Sequence, residues 1–404
     1  MRRKAYKFRI KTNTDIECKL LRFCGSARFL WNKSLAMNLV RLENKQTLRW
    51  YNELAFWLTL WKQSDEYAFL KECPSQVLQQ KLKDLDRAFR DAFDNKQPLK
   101  RIPVFKKRGS GDSIRFPQGF KIVGRRIFLP KIGWVGFYKS CKIEGKVKNI
   151  TLSNRAGRWY ASIQVEQVID VCKHPSDSEI GIDAGIKCFA AFSDGTMIEG
   201  VNSFRRHEQA LARGQRKLSR KQKESNNRKK QKKKISRLHQ KISNVRSDFL
   251  HKLSTEISKN HATVYVEGLH IRNMSSSARA TIEDPGIKVK AKSGLNKSIL
   301  DQGWGEFRRQ LDYKLLWKGG KLVEVDFRYT SQTCSCCGHR VKENRLSQAV
   351  FMCMACGHEE NADVNAAKNI LTVGQTGIAC QANRTSGRQQ EPAGNREGVL
   401  PVAS

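Results

Sequence analysis

The chain opens on a strict alternation. In "YKFRIKT" apolar and polar residues take turns, the period-two pattern of a strand with one buried face. From Asp15 to about Leu99 the period lengthens. "DIECKLLRFCGSARFLWNKSLAMNLVRLEN" places apolar residues three and four apart, and "CPSQVLQQKLKDLDRAFRDAF" does the same. Both predict helices that pack through one stripe, the second with Ser75 as N-cap after Pro74. Between Phe116 and Val168 the segments "RRIFLPKIGWVGFYKS", "GKVKNITLS" and "GRWYASIQVEQVI" predict short strands joined by Gly and Asn turns, with a hairpin turn at "SNRAGRWY". A small barrel or sandwich follows, completed by the N-terminal strand.

The pattern changes again at Ser178. "EIGIDAGIKCFAAFSDGTMIEG" reads as strand, Asp-Gly turn, strand. A polar helical region runs from about Phe204 to Lys259, and "HATVYVEGL" is an apolar strand ending in Glu267. "SSSARATIEDPGIKVKAKSGLNKS" reads as loop. "WGEFRRQLDYKLLWKGG" reads as an amphipathic helix with a glycine C-cap. "KLVEVDFR" is a further strand and "ADVNAAKNIL" a closing helix. Residues 372–404, rich in Gly, Gln, Asn and Arg, have too few apolar residues for a core and predict a disordered tail.

Composition narrows the partners. With 404 residues, 39% of them hydrophobic, the chain predicts several domains with sizeable cores. Its 76 Lys and Arg against 38 Asp and Glu give a formal net charge of +38. That much like charge repels itself in a compact state, and a polyanion relieves it, nucleic acid first among them. No apolar run approaches the roughly 20 residues of a membrane span. "MRRKAYKFRIKT" lacks the apolar stretch of a signal peptide, so the expected location is cytoplasmic.

Five of the 12 cysteines cluster between Cys334 and Cys356. Aligning "CSCCGH" with "CMACGH" on the shared Gly-His pairs Cys334 and Cys337 with Cys353 and Cys356, and leaves Cys336 spare. This is the spacing of a structural zinc site. Four thiolates close the tetrahedral shell and leave no open position for catalysis. The rival ligands are His339 and His358.

Three acids stand beside small residues at the margins of apolar elements: Asp183 in "GIDAGIK", Glu267 in "VYVEGLH" and Asp363 in "NADVNAAK". A buried carboxylate needs a partner or a metal. The order of elements suits an RNase H-like sheet, in which the first strand, the fourth strand and the last helix bring three acids to one edge. Such an oxygen cluster takes hard divalent ions, typically Mg²⁺, and two of them serve phosphodiester chemistry. Taken singly, each acid also reads as a surface, turn or helix-start residue.

"GIDAGI", "VEGL" and "TSQTCSCCGH…CMACG…NADVNAAKNI" closely resemble the TnpB family, the RNA-guided DNA endonucleases of insertion-sequence transposons related to type V CRISPR effectors. "LNKSILDQGWGEF", "CGSARFLWNKSL" and "GRWYASIQVE" resemble family segments too, so the resemblance covers roughly residues 1–371. It implies an α/β multidomain fold: a RuvC-like (RNase H-like) nuclease domain at 173–328 and 357–371 with an inserted zinc ribbon at 329–356. It further implies a β-barrel wedge domain at 1–11 and 116–172 and a helical recognition domain at 12–115. Asp183, Glu267 and Asp363 become the catalytic, magnesium-binding acids, holding two ions, and Cys334, Cys337, Cys353 and Cys356 hold one zinc. The implied partners are a guide RNA from the transposon end and double-stranded target DNA, cut beside a short target-adjacent motif by a monomeric protein with no small-molecule substrate. A strand-transfer transposase or a catalytically silent RNA-guided repressor are the alternatives.

"RGQRKLSRKQKESNNRKKQKKKISRLHQK" carries one acid, Glu224, among many bases. Its position between the first two acids predicts phosphate contact by Arg213, Arg216, Lys217, Arg220, Lys221, Arg228, Lys229, Lys230, Lys232, Lys233, Lys234 and Arg237. "LKRIPVFKKRG" and "RRKAYKFRIK" are further basic stretches, with Tyr6, Phe8 and Phe105 as candidate stacking residues or core residues.

Overall fold

The computed structural model describes residues 2–109, 111–168, 173–278, 286–326 and 328–386. The chain divides into two compact units, residues 1–169 and 170–404.

The first unit starts with strand β1 (Arg2–Arg9), followed by helices α1 (Thr14–Glu43), α2 (Tyr51–Gln63) and α3 (Ser75–Phe93). Asn13 caps α1 by accepting from the Ile16 N–H, as an Asn in extended conformation does. Leu20, Phe23, Ala27, Leu30, Trp31 and Leu35 of α1 meet Val77, Leu78, Leu82, Leu85 and Phe89 of α3 in one core. Each fully buried side chain of this size contributes roughly 1.5–3 kcal/mol. The Ser75 expectation shifts by one place: Pro74 occupies the cap position, and the Ser75 hydroxyl accepts from Lys62 instead.

Strands β2 (Ser113–Phe116), β3 (Lys121–Val123), β4 (Arg126–Leu129), β5 (Gly133–Gly136), β6 (Lys146–Arg155) and β7 (Arg158–Gln167) complete the unit. One antiparallel sheet has the order β1-β7-β6-β2 and the other β3-β4-β5. A bridge between Ile10 and Phe137 joins β1's end to β5's end. The N-terminal strand does complete the β region. Among the described residues, however, the pairing runs as an open series and shows no closed barrel. The hairpin turn falls at Ala156 and Gly157, with φ of 51° and 77°, the left-handed pair that matches strand twist. Tyr6 and Phe8 are core residues, 8% and 2% exposed, so neither is free to stack on a base.

The second unit begins with β8 (Glu179–Asp183), β9 (Ala190–Phe192) and β10 (Met197–Ile198). Helices α4 (Ser203–Ser219) and α5 (Asn226–Asn260) form a hairpin, then come β11 (Thr263–Glu267) and the short α6 (Ile271–Met274). Helices α7 (Val289–Gln302) and α8 (Trp304–Lys318) precede β12 (Lys321–Val325). Strands β13 (Val350–Met352) and β14 (Glu359–Asn361) lead into α9 (Ala362–Ser386). Two expectations fail here. The stretch read as loop, which ends at Ser298, contains most of α7; the burial of Ile299 just beyond it anchors a segment too rich in Lys, Ser and Gly to show a clear stripe. The tail read as disordered from 372 continues α9 to Ser386; residues 387–404 lie outside the described residues.

The sheet order is β10-β9-β8-β11-β12. β8 pairs antiparallel with β9 and parallel with β11, which pairs parallel with β12. β8 and β11 are buried on both faces, as their near-continuous apolar sequences require. Leu250, Leu253 and Ile257 of α5 and Trp304, Phe307, Leu311 and Leu315 of α8 share a core with Ile180, Ile182, Val264 and Val266.

Helix α9 approaches the sheet unusually closely, and two glycines allow it. A Cβ on Gly181 would overlap the Ala367 carbonyl and stand 2.8 Å from the Leu371 nitrogen. A Cβ on Gly374 would overlap the Tyr265 ring, whose hydroxyl donates to Glu179. Gly181→Ala is therefore expected to lift α9 off β8, with a stability loss of about 1–3 kcal/mol by overpacking. Calorimetry checks this, and an unchanged melting temperature would contradict the close contact.

Candidate metal and nucleic-acid site

Asp183 is the last residue of β8 and Glu267 is the last residue of β11. The parallel register pairs Val266 with Ile182, so the next positions, Glu267 and Asp183, stand side by side at the carboxyl ends of adjacent strands. The two carboxyl groups are close enough that each alters the other's affinity for protons. Asp363 lies in the first turn of α9, the helix that Gly181 admits onto β8. Its charge acts on both strand-end acids. The structure thus brings the three sequence-predicted acids into one electrostatic neighbourhood.

Burial, then the neighbouring Asp363 charge, pushes the Asp183 carboxyl up to about 6. Burial, then Asp183, pushes Glu267 up to about 8. Asp363 is raised by burial, against the opposing pull of Arg345 and Lys187. Protons bound by the folded but not the unfolded protein make stability fall with rising pH. Unfolded carboxylates titrate near pH 4, and the two folded values lie above that. In buffer free of divalent cations the melting temperature of the sheet should therefore fall between about pH 5 and about pH 8. Glu267→Gln should flatten that fall; a profile with the same slope in the variant would show that Glu267 is not a source of it.

Arg345 was not signalled by the sequence. Its Nη2 lies 3.5 Å from Asp363 Oδ1, the one ion pair to any of the three acids among the described residues. It arrives from the cysteine-bearing segment far from any acidic motif, and only the tertiary fold brings it there.

The sulfurs of Cys334, Cys337, Cys353 and Cys356 all lie within 4.8 Å of one another. Cys334 and Cys356 are 3.7 Å apart and Cys337 and Cys353 3.5 Å, close to the roughly 3.8 Å edge of a tetrahedron with ~2.3 Å Zn–S arms. The donor set and spacing fit a structural zinc. The two Cys-x-x-Cys turns are built alike. The Cys334 and Cys353 amides donate to the His339 and His358 carbonyls, and Gly338 and Gly357 take φ of 76° and 70°. Both histidines thus contribute backbone, and neither belongs to the four-residue ligand set. Cys336 is exposed beside it.

The cysteine hairpin is bonded directly to α9. Asn361, the last residue of β14, accepts from the Asp363 and Val364 amides. Asn365 and Asn369 donate to the Thr333 carbonyl, and Asn365 accepts from the Ser335 amide. These asparagines, which lie within the quoted motif but to which the sequence assigned no role, fix the turn that carries Asp363. Strand β14 pairs with β13, so the cysteine hairpin continues as far as Asn361.

The basic run folds as the α4–α5 hairpin. Arg213, Arg216, Lys217, Arg220, Lys229, Lys230, Lys232, Lys233, Lys234 and Arg237 are exposed, and Lys221 is half-buried. Arg228 serves the fold instead, because its guanidinium donates to the Leu218 and Lys221 carbonyls and closes the end of α4. None of the twelve pairs with an acid among the described residues, leaving a strip of unneutralised charge.

Known proteins place this architecture in a class. Residues 162–278 match the family model OrfB_IS605, described as "Probable transposase", and residues 304–370 match "Cas12f1-like, TNB domain", a span that includes all four cysteines. Residues 1–47 match a model described as "Helix-turn-helix domain", although here they form one strand, one 30-residue helix and the turn after it. The structure titled "Cryo-EM structure of the Cas12f1-sgRNA-target DNA complex" shares the fold, with a TM-score of 0.53 at 14% identity over 91% of this chain and 98% of that one. The fold is thus one shared with a Cas12f1 protein.

Two relatives take the assignment further. "Putative RNA-guided DNA endonuclease InsQ" of Escherichia coli (strain K12) is 50% identical over 395 residues, 97% of this chain and 98% of the relative. A "Putative RNA-guided DNA endonuclease" of Streptomyces pristinaespiralis is 32% identical over 413 residues, 98% of each. The chain belongs to the TnpB/OrfB_IS605 family. No helix among the described residues is long and apolar enough to cross a membrane.

Proposed function

We propose that this protein is an RNA-guided DNA endonuclease of an insertion-sequence transposon, cutting double-stranded DNA beside a short target-adjacent motif through one RuvC-like site. The observation that carries the reading is the carboxyl pair of Asp183 and Glu267 at the ends of adjacent parallel strands, with Asp363 beside it. The sheet order, a three-stranded antiparallel meander extended by two parallel strands, supports the reading of an RNase H-like core. The relatives' names and the basic α4–α5 strip support a nucleic-acid substrate.

The three acids fit a divalent cation. Two of them are half-buried, and burial and mutual repulsion raise both carboxyls towards the protonated form, a cost that a bound cation would relieve. Their donor atoms are all oxygen, the choice of Mg²⁺. When bound there, a pair of such ions supplies Lewis acidity and an activated water for in-line displacement at phosphorus. Asp183, Glu267 and Asp363 would hold the ions, and α9 would keep Asp363 on the strand ends. Arg345, from the zinc hairpin, would offer its guanidinium to the charged phosphate. Guide pairing would read the sequence, with the basic helices gripping backbone.

Purification of the expressed protein tests the reading. The guided nuclease should carry a transposon-end RNA and cut a matching plasmid only with Mg²⁺. RNA-free protein that joins DNA ends would establish a strand-transfer transposase. RNA-loaded protein that binds its target without cutting would establish a repressor.

A further inference from the structure

We propose that the cleft between α4, α7 and the loop after β8 seats the DNA strand to be cut, with Lys187 and Arg205 holding backbone phosphates that flank the scissile bond. The proposal rests on the endonuclease reading and adds a substrate subsite to it. The cleft has a volume of about 610 Å³, and its walls include Lys187, Arg205, Glu208, Lys297, Asp301 and Gln348.

The cleft is linked to the acids through Arg345, which contacts Gln348 of its wall. Arg345 Nη2, 3.5 Å from Asp363 Oδ1, also donates to the Gln348 carbonyl at 3.3 Å. Lys187 is near enough to pull the Asp363 carboxyl down. A strand lying in the cleft would therefore run on to the carboxylate cluster.

The walls are fixed from α7. The buried Asp301 carboxylate accepts from Ser203 Oγ at 3.0 Å, the Phe204 amide at 2.9 Å and the Arg205 amide at 3.3 Å, and so ties down the first turn of α4. Its neighbour Gln302 donates to the Ile186 carbonyl at 3.2 Å and holds the loop that carries Lys187. Two consecutive residues of one helix thus set the spacing of the two cations.

The charge balance selects the occupant. Asp301 is occupied by the α4 amides and by Arg246 at 3.6 Å, and Glu208 pairs with Lys297 at 3.0 Å. Lys187 and Arg205 are exposed and pair with no acid among the described residues. Two free cations at the mouth of a carboxylate centre suit a polyanionic backbone. Continuity with the acids favours the strand being cut over the guide.

The experiment uses the guide-loaded protein and a target duplex under single-turnover conditions. Lys187→Ala combined with Arg205→Ala should leave target binding unchanged and slow cleavage about 10- to 100-fold, the effect of a misplaced scissile bond. Lys187→Arg with Arg205→Lys should restore most of the rate, which a folding defect would not allow. Neutral methylphosphonate linkages placed one at a time around the cut should slow the wild type at one or two positions and leave the alanine variant unaffected there. Wild-type cleavage by the alanine variant, or equal slowing of both proteins by every neutral linkage, would overturn the subsite. A wild type that binds but never cuts would instead overturn the endonuclease reading itself.

Discussion

Asp183→Ala is expected to abolish DNA cleavage, by at least about a thousandfold, the scale lost when preorganised charge at a reacting centre is removed. Guide RNA and target DNA binding should survive, because the basic helices and the first unit are untouched. The same variant should melt no lower than wild type at pH 8 without divalent cations. Burial and mutual repulsion raise both strand-end carboxyls, so deleting one relieves the other. Inactivity combined with preserved or higher stability separates a functional acid from a structural one. Full cutting by Asp183→Ala would end the assignment, and a marked drop in melting temperature would show that the carboxyl pair is part of the scaffold.

The second large effect is expected at the cysteines. Cys337→Ala should release the metal, measurable as a fall from one zinc per chain to none, because three thiolates no longer close the shell. Metal binding free energy at such a site is folding free energy, so the hairpin of β13 and β14 should lose order. Asn361 ends that hairpin and caps the turn bearing Asp363. Cleavage should then fall about 10- to 100-fold or more, as when the supports of a metal ligand are lost. Zinc-free protein that cuts at the wild-type rate would show that the hairpin acts on nucleic acid alone and braces nothing.

The cysteine pattern was readable because four thiols in two identical turns have few other uses. The sheet was readable because β8 and β11 are short apolar runs that each end in an acid. Asp363 required the order of elements, since a single acid at a helix start has a simpler explanation in the helix dipole. What stayed hidden was tertiary. Arg345, Asn365 and Asp301 bear on the site through partners 18 or more residues away in sequence, and Asn361 through a local turn whose role shows only once the cysteine hairpin and α9 are both in place. α7 escaped because its buried face includes Asp301 and Gln302, polar residues that break the apolar stripe. The second half of α9 escaped because Gly374, which reads as a helix breaker, is the residue that makes room for Tyr265.

The attachment of Asp363 to the cysteine hairpin also has a temporal side. During synthesis the strand-end acids leave the ribosome well before the helix that brings their third companion, and that helix emerges directly behind the cysteine hairpin. On the proposed reading, a newly made chain cannot damage the chromosome until its last supporting element is in place. Cellular zinc supply would then act as a licence for cutting.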